Sequence, residues 1–87
     1  MMWKIEFDRK AFKEFSKLDR QIQQRISLEL DKIPHLEEPK LYGKSLVGNL
    51  ARLWRYRVGD YRIICEINDK IITILVLDIG HRKNIYD

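Results

Sequence analysis

In WKIEF, residues 3–7, the apolar Trp3, Ile5 and Phe7 alternate with Lys4 and Glu6, which is the two-residue period of a half-buried strand. The period then changes. From Asp8, a suitable helix cap, the apolar Ala11, Phe12, Phe15 and Leu18 fall on one helical face. From Asp19, a second cap, Ile22, Ile26, Leu30 and Ile33 repeat the helical spacing until Pro34 interrupts it. Two amphipathic helices joined at residues 18–20 predict an αα-hairpin.

Residues 34–49, PHLEEPKLYGKSLVGN, read as a loop punctuated by two prolines and two glycines. Three strands follow, roughly at 50–58, 61–67 and 70–79, with two-residue turns at Gly59-Asp60 and Asn68-Asp69. The last of them, KIITILVLDI, is apolar on both parities and predicts a central strand covered on both faces.

The Gly59-Asp60 turn sets Val58 opposite Tyr61, Arg57 opposite Arg62, Tyr56 opposite Ile63, Arg55 opposite Ile64 and Trp54 opposite Cys65. Alternation then assigns Trp54, Tyr56, Tyr61, Ile63 and Cys65 to a core face that the helices cover, and the Asn68-Asp69 turn adds Ile72, Ile74 and Val76 to it. The other face holds Arg55, Arg57 and Arg62, with Leu75 expected opposite Arg62. Arginines facing each other across a strand pair repel, at a cost of roughly 0.2–1 kcal/mol. A bound anion would offset that cost, because guanidinium groups make charge-assisted, often bidentate bonds to phosphate. The alternative is a solvated face on which Arg55 leans toward Glu66 and Arg57 toward Asp60. Antiparallel pairing returns the end of the last strand to this neighbourhood, so the tail GHRKNIYD adds His81, Arg82, Lys83 and Tyr86.

Composition sharpens this picture. The 87 residues carry 17 Lys and Arg against 13 Asp and Glu, a net charge of +4. Residues 1–40 hold nine basic and eight acidic side chains, and residues 41–87 hold eight and five, so most of the surplus lies in the half with the arginine motif. A basic surplus favours acidic partners such as nucleic acid or an acidic protein segment. The length suits one domain, residues 1–87. The single cysteine, Cys65, has no internal disulfide partner, and the charges from Lys4 onward do not fit a signal peptide. A cytoplasmic protein without a membrane span is the expectation.

RNA is cleaved when its own 2′-hydroxyl attacks the adjacent phosphorus, which calls for a base, for positive charge around the crowded phosphorane and for an acid at the departing 5′-oxygen. Arginines suit the second role. The imidazole of His81 suits acid or base work; Tyr86 can exchange a proton, stack on a base or simply anchor the tail. Such chemistry needs no metal or other cofactor. His35 beside Pro34 reads as structural, and Cys65 as a small buried apolar residue. No glycine-rich phosphate loop, CxxC or HExxH occurs, so nucleotide hydrolysis and zinc chemistry have no sequence support.

The stretch LWRYRVGDYRIICEI, followed by a hydrophobic strand ending in IGHRKNIY, resembles the RelE branch of the RelE/ParE superfamily of bacterial and archaeal type II toxins over essentially the whole chain. The resemblance implies an α+β fold of order β-α-α-β-β-β, with the sheet antiparallel except at its N-terminal strand and the αα-hairpin on one face. It also implies a ribosome-dependent mRNA endonuclease that meets 16S rRNA and mRNA. A RelB-like antitoxin would neutralise it, and the complex would bind its own operator DNA through that antitoxin. Carried over residue by residue, the family's catalytic arginines correspond to Arg62 and Arg82, its tail tyrosine to Tyr86, its strand basic residues to Arg55 and Arg57, and the histidine of some relatives to His81. Arg52, Lys44 and Lys83 are candidates for RNA backbone contacts. This sequence has Leu53 near where well-known members carry a further lysine, which leaves the general base open, and those members continue past the tyrosine into a helix. Two other readings follow: a ParE-like toxin that binds DNA gyrase, which shares the fold but is opposed by Arg62, Arg82 and Tyr86, and a nucleic-acid-binding module without catalysis.

Overall fold

A computed structural model of the protein describes residues 3–35, 39–46 and 53–81. Strand β1 (Lys4–Phe7) leads into helices α1 (Arg9–Ser16) and α2 (Arg20–Lys32), then short β2 (Lys44–Ser45) and the long strands β3 (Leu53–Val58), β4 (Tyr61–Asn68) and β5 (Thr73–His81). Among the described residues the sheet has five strands in the order β1-β5-β4-β3-β2. β1 is parallel to β5 and the other pairings are antiparallel. The fold is α+β, and β5 is an interior strand between β1 and β4; its core face is buried as expected, whereas Leu75 and Leu77 on the other face are only half-buried. The expected strand start at residues 50–52 lies outside the described residues.

Both helices begin at the expected aspartates. Asp8 Oδ1 accepts from Ala11 N at 3.0 Å, and Asp19 Oδ1 accepts from Gln21 N and Ile22 N at 2.9 and 3.3 Å. Gln23 Nε2 donates to Phe15 O, tying the helices across their junction. Past α2 the chain tightens into a 3₁₀ turn at Ile33–His35, where the Pro34 carbonyl accepts from Trp3 N. A second 3₁₀ turn, Pro39–Tyr42, brings the chain to the sheet edge: Tyr56 Oη donates to Pro39 O at 2.8 Å and Trp54 Nε1 to Lys40 O at 3.1 Å. At Gly43 a Cβ would meet Arg55 O at 2.7 Å, so glycine is what lets this segment close on β3 as β2 begins.

The helices cover one face of the sheet. Ala11, Ile26, Leu30 and Ile33 pack against Tyr56, Val58, Ile63, Cys65, Ile74 and Val76, with Trp54, Tyr61, Ile5, Phe7 and Phe15 partly buried around them. The expected core face is therefore occupied, except that Ile72 stands in the turn at φ 51° ahead of β5.

The β4–β5 connection differs from expectation. Asn68 remains in β4 and pairs with Thr73, so the turn spans residues 69–72, with Asn68 Oδ1 accepting from Lys70 N and Ile71 N. Asparagine thus closes the turn through its side chain. This displaces β5 by four residues along β4 without changing its parity: Ile74 and Val76 stay on the core face, and Leu75 lies opposite Glu66 instead of Arg62. A bulge then changes the parity. Cys65 pairs with Val76 but Ile64 pairs with Asp78, which leaves Leu77 as the extra residue. Beyond it Ile79 turns into the core at 3% exposure.

β1 pairs with β5 only over Thr73–Val76. Further along, Ile79 N donates to the Glu14 side chain at 3.1 Å, and Lys10 Nζ lies 3.4 Å from Asp78 Oδ2. Helix α1 thereby covers a backbone donor on the edge that β1 leaves open.

Candidate active site

The β3–β4 hairpin has the expected register: Arg57 faces Arg62, Arg55 faces Ile64, and Val58 faces Tyr61 across the turn. Gly59 sits at φ 58°, a left-handed conformation in which a side chain is strained. Arg55, Arg57 and Arg62 therefore share the face away from the helices. Lys44 joins them, because β2 pairs it with Arg55. A residue expected in a loop thus stands one strand over from the arginines.

The arginines differ in environment. Arg57 is exposed, Arg55 half-buried and Arg62 buried at 4% exposure. The Arg55 guanidinium is shifted below its ordinary value, first by desolvation and then by the charges of Arg57 and Arg62. No ion pair between described residues holds Arg55 or Arg57, so the expected leanings toward Glu66 and Asp60 do not form ion pairs. A positive field in a partly desolvated site is stronger than one in open water, and it is suited to a phosphate.

β5 ends beside the hairpin. Gly80 lies opposite Arg62 and His81 opposite Tyr61, so β5 ends beside the hairpin strand that carries Arg62, as antiparallel pairing predicts. The side chain of His81 does not join them. It shares the face of Tyr61, whose ring it meets edge-on at 5.5 Å between centroids and 77° between planes. The cause is the bulge at Leu77: without it, residue 81 would have the parity of Leu75, which pairs with Glu66 on the arginine face. His81 is therefore corrected to the helix-covered face. Arg52, Arg82, Lys83 and Tyr86 lie outside the described residues.

One basic residue at the hairpin was missed from the sequence. The Arg25 guanidinium of α2 lies 2.9–3.3 Å from where a Cβ on Gly59 would stand. It reaches the turn from the helix side, opposite the arginine face. Its helical position identifies it only as exposed; the packing of α2 against the hairpin gives it its neighbours. Cys65 is buried, and burial pushes its thiol up to about 12, consistent with an unreactive core residue.

Residues 5–86 match the family described as the ParE toxin of type II toxin-antitoxin systems, parDE. Among curated proteins, the chain is similar to toxin RelE3 of Methanocaldococcus jannaschii, at 33% identity over 97% of this chain and 96% of that one. It is also similar to the mRNA interferase toxin RelE of Escherichia coli K12, at 25% identity over 95% and 86%. Among solved structures, the toxin-antitoxin complex RelBE2 of Mycobacterium tuberculosis matches with a TM-score of 0.84 and 26% identity, covering 94% of this chain and all of that one. The sheet order, the helical hairpin on one face and these likenesses agree: the chain belongs to the RelE/ParE superfamily of type II toxin-antitoxin toxins.

Proposed function

We propose that this toxin is a ribosome-dependent, metal-independent endoribonuclease that cleaves mRNA. The observation that carries the reading is the cluster of Arg55, Arg57 and Arg62 on one face, with Lys44 beside it and the end of β5 on the neighbouring strand. In the reaction the 2′-oxygen bonds to the adjacent phosphorus, its proton passes to a base, and the bond from phosphorus to the 5′-oxygen breaks as an acid protonates that oxygen. The products are a 2′,3′-cyclic phosphate and a free 5′-hydroxyl. The nucleophile comes from the substrate, so the protein's task is to position the strand and stabilise charge. Arg62 and Arg55 neutralise the phosphorane, and Arg57 and Lys44 hold the flanking backbone. Arg82 and Tyr86 supply the remaining charge and the proton transfer, with Arg52 and Lys83 as further backbone contacts. His81, turned toward Tyr61, anchors the end of β5. Solved relatives are complexes with RelB antitoxins, and the proposal includes such a partner for this chain.

The test is a translation reaction programmed with a defined message and read by primer extension. Cleavage within the message is expected only when ribosomes are present. Arg62→Ala should lower kcat by about 10²–10³ with the fold intact, the range seen when one charge-stabilising donor is removed. Intact message beside translating ribosomes would reject the reading. The ParE name of the matching family supports a second one, inhibition of DNA gyrase; loss of supercoiling activity on adding the purified protein, with message left whole, would establish it.

A further inference from the structure

β1 stops pairing with β5 at Val76, so beyond that residue the outer edge of β5 has no strand beside it among the described residues. Side chains of α1 take the place of a strand there. Glu14 accepts from Ile79 N at 3.1 Å, and Lys10 Nζ stands 3.4 Å from Asp78 Oδ2. The other oxygen of that carboxylate, Asp78 Oδ1, is buried and accepts no hydrogen bond from a described residue, an arrangement that is costly unless a donor is supplied. The Glu14 carboxyl adjoins it. Glu14 is thus placed between a donor, Ile79 N, and an acceptor, Asp78. An ionised carboxylate only accepts, whereas a protonated one accepts and also donates. The neutral form of Glu14 alone answers both neighbours.

We propose that Glu14 and Asp78 form a proton-operated latch: one proton, taken from solvent and held between the two carboxyls, fastens the end of β5 to α1, and its return to solvent loosens that end beside Arg62. The charges around the pair set its direction. Desolvation and the Asp78 carboxyl favour the neutral form of Glu14, and they outweigh Lys10, which favours the ionised one. Asp8, the cap of α1, acts on Lys10 in turn. From β1 the exposed Glu6 lies further back, opposite Leu75. From β4, Ile64 faces Asp78, and Arg62 is two residues along on the same face. Asp78 therefore belongs to the arginine side of the sheet, because Ile64 also pairs with Arg55. The latch closes as pH falls through the raised value of Glu14 and opens above it, the two carboxyls titrating as a pair. Opening frees the Ile79 edge and adds a negative charge near Arg62, and both weaken the hold of the arginine face on an anion.

The test is an NMR titration of the full chain from about pH 4 to 8, following the Glu14 carboxyl carbon, the Ile79 amide and the protection of that amide against hydrogen exchange. In the parent the carbon and the amide should move with one midpoint, above 4.5, and protection at Ile79 should fall about threefold or more across it. Asp78→Asn should lower the midpoint and Lys10→Gln should raise it, each by about half a pH unit or more. Glu14→Gln, which accepts and donates at every pH, should keep Ile79 protected throughout. Lys10 is exposed, so its variant tests the pair even where Asp78→Asn fails to fold. A Glu14 midpoint that neither variant moves would reduce the site to simple burial and overturn the latch. So would protection at Ile79 that is flat with pH in the parent or lost in Glu14→Gln. No message or ribosome enters these measurements, so the latch stands or falls separately from the nuclease reading.

Discussion

Glu14 shows how one side chain can be committed to the fold and still respond to pH. Its carboxyl accepts from Ile79 N; desolvation first, and then the neighbouring Asp78 carboxyl, raise its pKa above the usual carboxylate value. A group with a raised pKa holds its proton in the folded chain at pH values where the unfolded chain has lost it. Its contribution to stability is therefore complete below the unfolded value, near 4.5, and is lost as pH rises through the folded one. Glu14→Gln keeps an acceptor for Ile79 and adds a donor toward Asp78. Denaturant titrations should show the variant at least as stable as the parent at pH 7, by no more than about 1 kcal/mol at this partly solvated site, with the difference shrinking toward pH 4. Cys65 offers a second check at this scale: its thiol, at about 12, should resist alkylation at pH 8 in the folded chain and react once denaturant is added. Its burial is legible from strand parity alone. The role of Glu14 is not, because its partner is 65 positions away in sequence and depends on where β1 stops.

At the scale of elements, the local signals carry most of the outline. Asp8 and Asp19 start helices, Pro34 ends one, and Gly59-Asp60 forms the turn that aligns Arg57 with Arg62. Gly59→Ala would force a side chain into a left-handed conformation and against the Arg25 guanidinium. It should destabilise the protein by about 1–2 kcal/mol, seen as a lower Tm, and part of that loss should return in the Gly59→Ala/Arg25→Ala double variant. What the sequence hides at this scale is the bulge at Leu77. KIITILVLDI is apolar at both parities, so nothing in its pattern marks where the alternation inverts, and the face of His81 depends on that inversion. Likewise Lys44, beside two glycines and a proline, reads as loop until Gly43 allows the segment to approach β3.

For the whole molecule, the strand that joins β1 to the hairpin strands is the last described one in sequence. β5 contacts β4 on one side and β1 on the other, and packs against α1. A fragment ending at residue 72 should show no cooperative thermal transition by circular dichroism, since β1 would have no strand to pair with and the helices would cover an incomplete floor. The same topology bears on how this toxin is assembled during its synthesis. While β5 is still inside the exit tunnel, the nascent chain has no complete sheet, and the strand that pairs Gly80 with Arg62 is not yet in place. Until β5 emerges the hairpin arginines have only one of the two strands that flank β4, so the site is completed only after every other described element has been made.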